Sequence, residues 1–116
     1  MTQEDKELLL KDLSARLPYG VKVKFGSDVI PSPLTPDLLG NYWYTVDIYL
    51  KPYLRPLYSM TEAEREEYKK VIFESQNIDG ISSSTYVSDW LMSKHFDTKG
   101  LIPKGLALKA PEGMYS

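Results

Sequence analysis

The sequence predicts an α+β fold, a single small domain in which a mainly antiparallel sheet of three to five strands packs against two or three helices. Three observations point there. Leu9, Leu10, Leu13 and Leu17 recur at helical spacing; Val21, Val23 and Phe25 alternate with Lys22 and Lys24 at the period of a half-buried strand; and a long aromatic run alternates the same way over 42–50. A chain of 116 residues is long enough to bury one core without staples.

The first helix starts at Thr2, whose side chain can cap the turn that carries Asp5, and the acids there suit the positive helix end. Pro18 ends it. After the strand of "YGVKVKFG", the segment "SDVIPSPLTPDLLGN" carries Pro31, Pro33 and Pro36. These remove backbone donors, so a loop is expected beyond a short edge strand at 28–30. Gly40 and Asn41 then turn the chain into "YWYTVDIYL", which places Tyr42, Tyr44, Val46, Ile48 and Leu50 on one face and Trp43, Thr45, Asp47 and Tyr49 on the other. It reads as the central strand.

Pro52 and Pro56 bring the sheet to a stop, and Thr61 with Glu64 forms a capping box that starts a second helix over 62–74. On it Glu66 pairs with Lys70, while Tyr68, Val71, Ile72 and Ser75 face inward. Asp79 and Gly80 mark a turn; the same stretch also fits a hairpin tip with 71–73 drawn into strand, and periodicity does not separate the two. A third helix presents Tyr86, Val87, Trp90 and Leu91 on one face and ends near His95. Beyond Gly100, Leu106 and Leu108 fit either one strand or a cover over the core. The expected core is Leu10, Leu13, Leu17, Val23, Phe25, Val46, Ile48, Tyr68, Ile72, Trp90 and Leu91.

Composition narrows the function classes. With 42% hydrophobic and 26% charged residues the chain is expected to be folded and soluble, and a formal net charge of −2 gives no general attraction for a phosphate backbone. The absence of cysteine removes thiolate chemistry and disulfides. The start, "MTQEDKELLLKD", has acids where a secretion signal needs bases, and no apolar run approaches a membrane span, so a cytoplasmic protein with no membrane partner is expected.

No catalytic constellation emerges. The single histidine, His95, has serines and the acids Asp89 and Asp97 near it in sequence but no nucleophile elbow; a histidine in the last turn of a helix suits the negative helix end without any catalytic role. One histidine and no cysteine leave no metal-ligand motif, Gly20 and Gly26 are isolated turn glycines, and no cofactor is implied. "PLTP" and "KPYLRP" fit the spacing of polyproline ligands, yet proline more often stiffens loops. Nine tyrosines and two tryptophans are the remaining feature. An aromatic strand face that the domain leaves uncovered would be a binding or dimer surface.

Through "KPYLRPLYSMTEAEREEY" and "DWLMSKHFDTKGLIPKGLALKAPEGMY", together with the start "LLLKDLSARLPYGVKVKF", the chain resembles a family of small uncharacterised proteins from gut Bacteroidales and their mobile elements. The resemblance spans most of the chain and carries no activity or site residues. It implies a bacterial, intracellular setting and an accessory role in a phage or mobile element.

The expectation is therefore a non-enzymatic binding module whose surface includes Trp43, Tyr49, Tyr53, Arg55 and Tyr58, with a protein partner or a second copy of the chain. Two alternatives stand beside it. One is a nucleic-acid-associated protein that uses Lys22, Lys24 and the lysines from Lys94 to Lys109; the other is a small enzyme built on carboxylates such as Asp47 or Asp89.

Overall fold

The computed structural model describes residues 2–25, 30–37, 40, 50–76 and 82–115. Three long helices are found among these residues, α1 (Gln3–Arg16), α2 (Glu62–Gln76) and α3 (Ser82–Ser93). They accompany strands β1 (Lys22–Phe25), β2 (Ser32–Pro33), β3 (Leu50–Leu54) and β4 (Leu108–Lys109), which form one sheet in the order β2-β1-β3-β4. The two pairings made by β1 are antiparallel and β3 with β4 is parallel. This is the α+β domain with a mainly antiparallel sheet that the patterns predict.

The helices α1 and α2 start as their capping residues dictate. Thr2 Oγ1 accepts the Asp5 amide at 3.1 Å. At α2 the box closes in both directions, with the Glu64 amide donating to Thr61 Oγ1 (3.1 Å) and the Thr61 amide to Glu64 Oε1 (3.0 Å). The segment 71–73 is helix, so the hairpin alternative fails. Lys69, not Lys70, pairs with Glu66, at 3.1 Å and three residues apart. The α1 helix gives way to a 3-10 turn over Leu17–Tyr19, and Gly20 at φ 70° turns the chain into β1, a left-handed position that glycine takes without steric cost.

Two expectations about proline need correction. Ser32–Pro33 is an edge strand rather than loop, with Leu34 buried beneath it and its amide donating to the Val21 carbonyl at 2.9 Å. An edge position leaves proline's missing donor without consequence. The second is Pro52, which does not stop the sheet: it lies inside β3, opposite Val23 and fully buried. The Ala110 amide donates to the Leu54 carbonyl at 2.8 Å, so Leu54 turns its backbone groups toward β4. Strand backbone groups alternate in direction, so Pro52 faces the same flank, where β4 pairing begins only at Tyr53. Among the described residues the lost N–H has no ladder partner to miss.

The core gathers Leu9, Leu13, Val21, Val23, Leu34, Leu50, Leu54, Leu101, Leu106 and Ala107, with Leu10 and Leu17 packed partly against it. Tyr68, Trp90 and Leu91 are half-buried. Of the expected inward face of α2, Val71 and Ser75 are buried, whereas Ile72 is 37% exposed. Val46, Ile48 and the Phe25 side chain, the run 42–49, the turn at Asp79 and Gly80, and residues 28 and 29 of the expected edge strand lie outside what the structure describes; Ile30, its last residue, is exposed.

Buried charge is the feature that hydrophobic patterning does not show. Asp12 and Arg16 lie on the same inward face of α1 as Leu9 and Leu13, and both are fully buried. Arg16 Nε donates to Asp12 Oδ2 (2.7 Å), Arg16 Nη2 donates to the Phe96 carbonyl (2.7 Å), and Lys99 Nζ donates to Asp12 Oδ1 (3.0 Å). Removing one member of such a network leaves its partner charged and desolvated. Asp12→Ala is therefore expected to cost about 3–5 kcal/mol in urea unfolding. The double change Asp12→Leu with Arg16→Met should recover most of it; equal losses in single and double variants would count against the ion network.

Candidate functional site

The segment from Tyr53 to Tyr58 divides into an anchored part and a displayed part. Arg55 follows β3 and forms a parallel bridge with Phe96, its amide donating to the His95 carbonyl (2.8 Å) and its own carbonyl accepting from Asp97 (2.9 Å). Its guanidinium grips Glu64 in a two-pronged pair, Nη1 to Oε2 at 2.8 Å and Nη2 to Oε1 at 2.6 Å, and lies 4.3 Å above the Phe96 ring. Arg55 thus joins the sheet to the start of α2 and to the turn after α3. It is committed to its own domain.

An aromatic stack continues from this anchor. Phe96 stacks on Trp90 with ring centres 6.3 Å apart, and Trp90 on Tyr68 at 5.6 Å, with the Trp90 indole N–H donating to Glu67 at 3.0 Å. The result is a column from β3 through α3 to α2. Sequence reading placed Tyr68 and Trp90 in the core but missed Phe96 as its centre. The signal was the run "WLMSKHF", in which Phe96 lies past the helix and looks like loop.

Tyr58 is displayed. It is 74% exposed and Leu57 is 48% exposed; both belong to a 3-10 turn, Leu57–Ser59. The Ser59 amide (2.9 Å) and Ser59 Oγ (2.6 Å) both donate to the Pro56 carbonyl, which rigidifies the turn. Lys109 Nζ sits 5.6 Å from the Tyr58 ring centre. Tyr53 is half-buried on β3. Trp43 and Tyr49, the other two residues of the expected surface, lie outside the described residues.

His95 departs from the helix-end role. The Phe96 amide donates to the Leu91 carbonyl (3.0 Å) and the His95 amide to Met92 (2.9 Å), the paired bonds of a Schellman helix stop. That motif puts His95 at φ 68°, the only positive φ outside glycine among the described residues. Its ring stacks on Tyr115 with centres 3.7 Å apart, and Nδ1 is buried without a hydrogen-bond partner. Burial first, then the charges of Arg16, Arg55 and Lys22, push its pKa from 6.5 down to about 4. The ring is neutral near pH 7, so it carries no charge toward the helix end.

Tyr115 completes this cluster. Its hydroxyl accepts from the Lys22 amide (2.8 Å) and donates to the Tyr53 carbonyl (2.8 Å). Asp97 organises the next turn, with its carboxylate accepting from the amides of Leu101 (2.9 Å) and Ile102 (3.0 Å).

No family model, curated protein or solved structure matches the chain.

The alternatives lose some of their residues. Lys99 is held by Asp12 and Lys109 lies over Tyr58, so Lys22 and Lys24 on β1 with Lys94 and Lys104 are what remains of the lysine surface. Asp89 is exposed on α3, and Asp47 lies outside the described residues. Among the described residues no three acidic or histidine side chains converge to hold a metal ion, and no helix is long and apolar enough to cross a membrane. The polyproline matches also change character, since Pro33 pairs in β2, Pro36 has helical backbone and Pro52 is buried in β3.

Two pH limbs follow from these contacts. His95 is depressed in the fold, so the unfolded chain binds the extra proton: its contribution is complete above pH 6.5 and is lost as pH falls toward about 4. Glu64, held chiefly by its hydrogen bonds from Arg55, is lowered from 4.5 to about 2, so its contribution is complete above 4.5 and is lost toward 2. The His95 ring signals should titrate near pH 4 by NMR, His95→Asn should flatten the upper limb of stability against pH, and Glu64→Gln the lower one. A ring titrating near 6.5 contradicts the burial assigned to it.

Proposed function

We propose that the chain is a non-enzymatic protein-binding module whose contact surface is the Leu57–Tyr58 turn flanked by Lys109. The exposure of Tyr58, 74% beside a half-exposed leucine, is the observation that carries this reading. Large apolar and aromatic side chains displayed together are what the centre of an interface uses, and tyrosine adds a polar tip that can pair with a partner. The turn is also ordered in advance. Arg55 holds it from one side through Glu64 and Phe96, and Met60, 9% exposed, plugs it into the domain on the other. A surface already fixed loses less conformational entropy on binding. The resemblance to Bacteroidales mobile-element proteins supports a partner from a bacterial host or a phage, in an intracellular setting.

The test compares the unaltered chain with Leu57→Ala/Tyr58→Ser in quantitative affinity capture from the bacterial host, alongside sedimentation of the purified chain. Neither side chain is part of the core, so the melting curve should move little, about 0.5 kcal/mol or less. A specific partner, or the chain's own dimer, should be enriched by the unaltered chain and lost with the variant. Identical partners and identical sedimentation for both proteins would refute this surface.

A further inference from the structure

The contacts of Tyr115 contain a second site, independent of the Tyr58 surface. Val23 pairs with Pro52 and Lys24 with Lys51, so by register Lys22 stands opposite Tyr53. In a continuous antiparallel ladder the Lys22 amide and the Tyr53 carbonyl would bond to each other. Here a phenol hydroxyl stands between them, accepting from one and donating to the other, both at 2.8 Å. The gap thus demands a group that accepts and donates at one atom on a flat ring, because His95 lies against that ring at 3.7 Å between centres.

His95 is itself held at φ 68°, a left-handed conformation that disfavours any residue with a side chain relative to glycine. The helix stop needs only a glycine there; the residue present supplies an imidazole face to Tyr115. The charges of Arg16 from α1, Lys22 from β1 and Arg55, just past β3, all act on that ring, and Arg16 Nη1 is buried and unpaired. By contrast the chain leading to Tyr115 runs at the surface, with Pro111, Glu112 and Gly113 exposed; the Ala110 amide donates to the Leu54 carbonyl and the Met114 amide to the Pro111 carbonyl.

We infer that the gap between β1 and β3 is a tyrosine-reading slot, formed by the Lys22 amide, the Tyr53 carbonyl and the His95 ring, and that the 111–115 segment occupies it as an internal competitor for a tyrosine-bearing peptide of a partner. Release of the segment presents a backbone donor, a backbone acceptor and a flat aromatic face. Phenylalanine would satisfy only the last.

The test uses the full chain with Tyr115→Ala and a fluorescein-labelled peptide, KAPEGMYS, followed by fluorescence anisotropy. The variant should bind the peptide at least about tenfold more tightly than the unaltered chain, whose slot is filled. The same peptide with phenylalanine for its tyrosine should bind about five- to tenfold more weakly, the effect of losing the hydroxyl's hydrogen bonds. Adding His95→Ala to the variant should weaken binding as well. A folded Tyr115→Ala chain that ignores the peptide, or that binds both peptides alike, overturns the slot. Should Tyr115→Ala fail to fold, hydrogen exchange on the unaltered chain decides: the Lys22 amide must exchange by a local opening, well before Lys24 in the continuous ladder, and protection of both to the same limit overturns the proposal.

Discussion

Arg55 is the residue on which the arrangement depends. Its backbone carries the sheet past the end of β3 by bridging to Phe96, and its guanidinium joins Glu64 at the start of α2 while lying on the Phe96 ring. A planar fork can grip a carboxylate in two places and stack on an aromatic at once, which a lysine cannot do. Glu64 is shared in turn, since it also closes the capping box of α2. The start of one helix, the stop of another and the margin of the sheet are therefore positioned by one side chain and its partners.

A second polar group does comparable work at depth. Asp12, Arg16 and Lys99 tie α1 to the turn after α3, with the Phe96 carbonyl as a fourth member. Buried ions contribute less net stability than apolar side chains of the same volume, but they punish misplacement severely. Such a network specifies which face of α1 meets the 96–99 turn. Both polar groups converge on the same short stretch, His95 to Asp97, which carries the helix stop, the bridge to Arg55 and the stack with Tyr115.

Much of the local structure was legible. Thr2, Thr61 and Glu64 announce their helices because a capping side chain bonds within three residues, and the alternation of Val21 and Val23 shows in the sequence because strand faces repeat every second residue. Proline misled for the opposite reason. Its effect on a strand depends on which flank its nitrogen faces, and that flank is set by the neighbouring strand, as Pro52 shows against β4. Tyr58 stood in the expected surface beside Arg55, yet one is displayed and the other enclosed. Alternation along a strand gives no means of separating them, because a 3-10 turn intervenes.

The amino-acid sequence by itself determined the class of the fold, the starts of α1 and α2 and the alternating strand that becomes β1, all of which rest on interactions between residues a few positions apart. Only the tertiary structure decided what the polar residues do. Arg16 meets Phe96 across 80 positions and Tyr115 meets Lys22 across 93, and contacts so distant leave no periodic trace in the chain. The same separation explains why His95, the only histidine, reads in the sequence as a helix-end cation and is in the fold a neutral ring beneath a tyrosine.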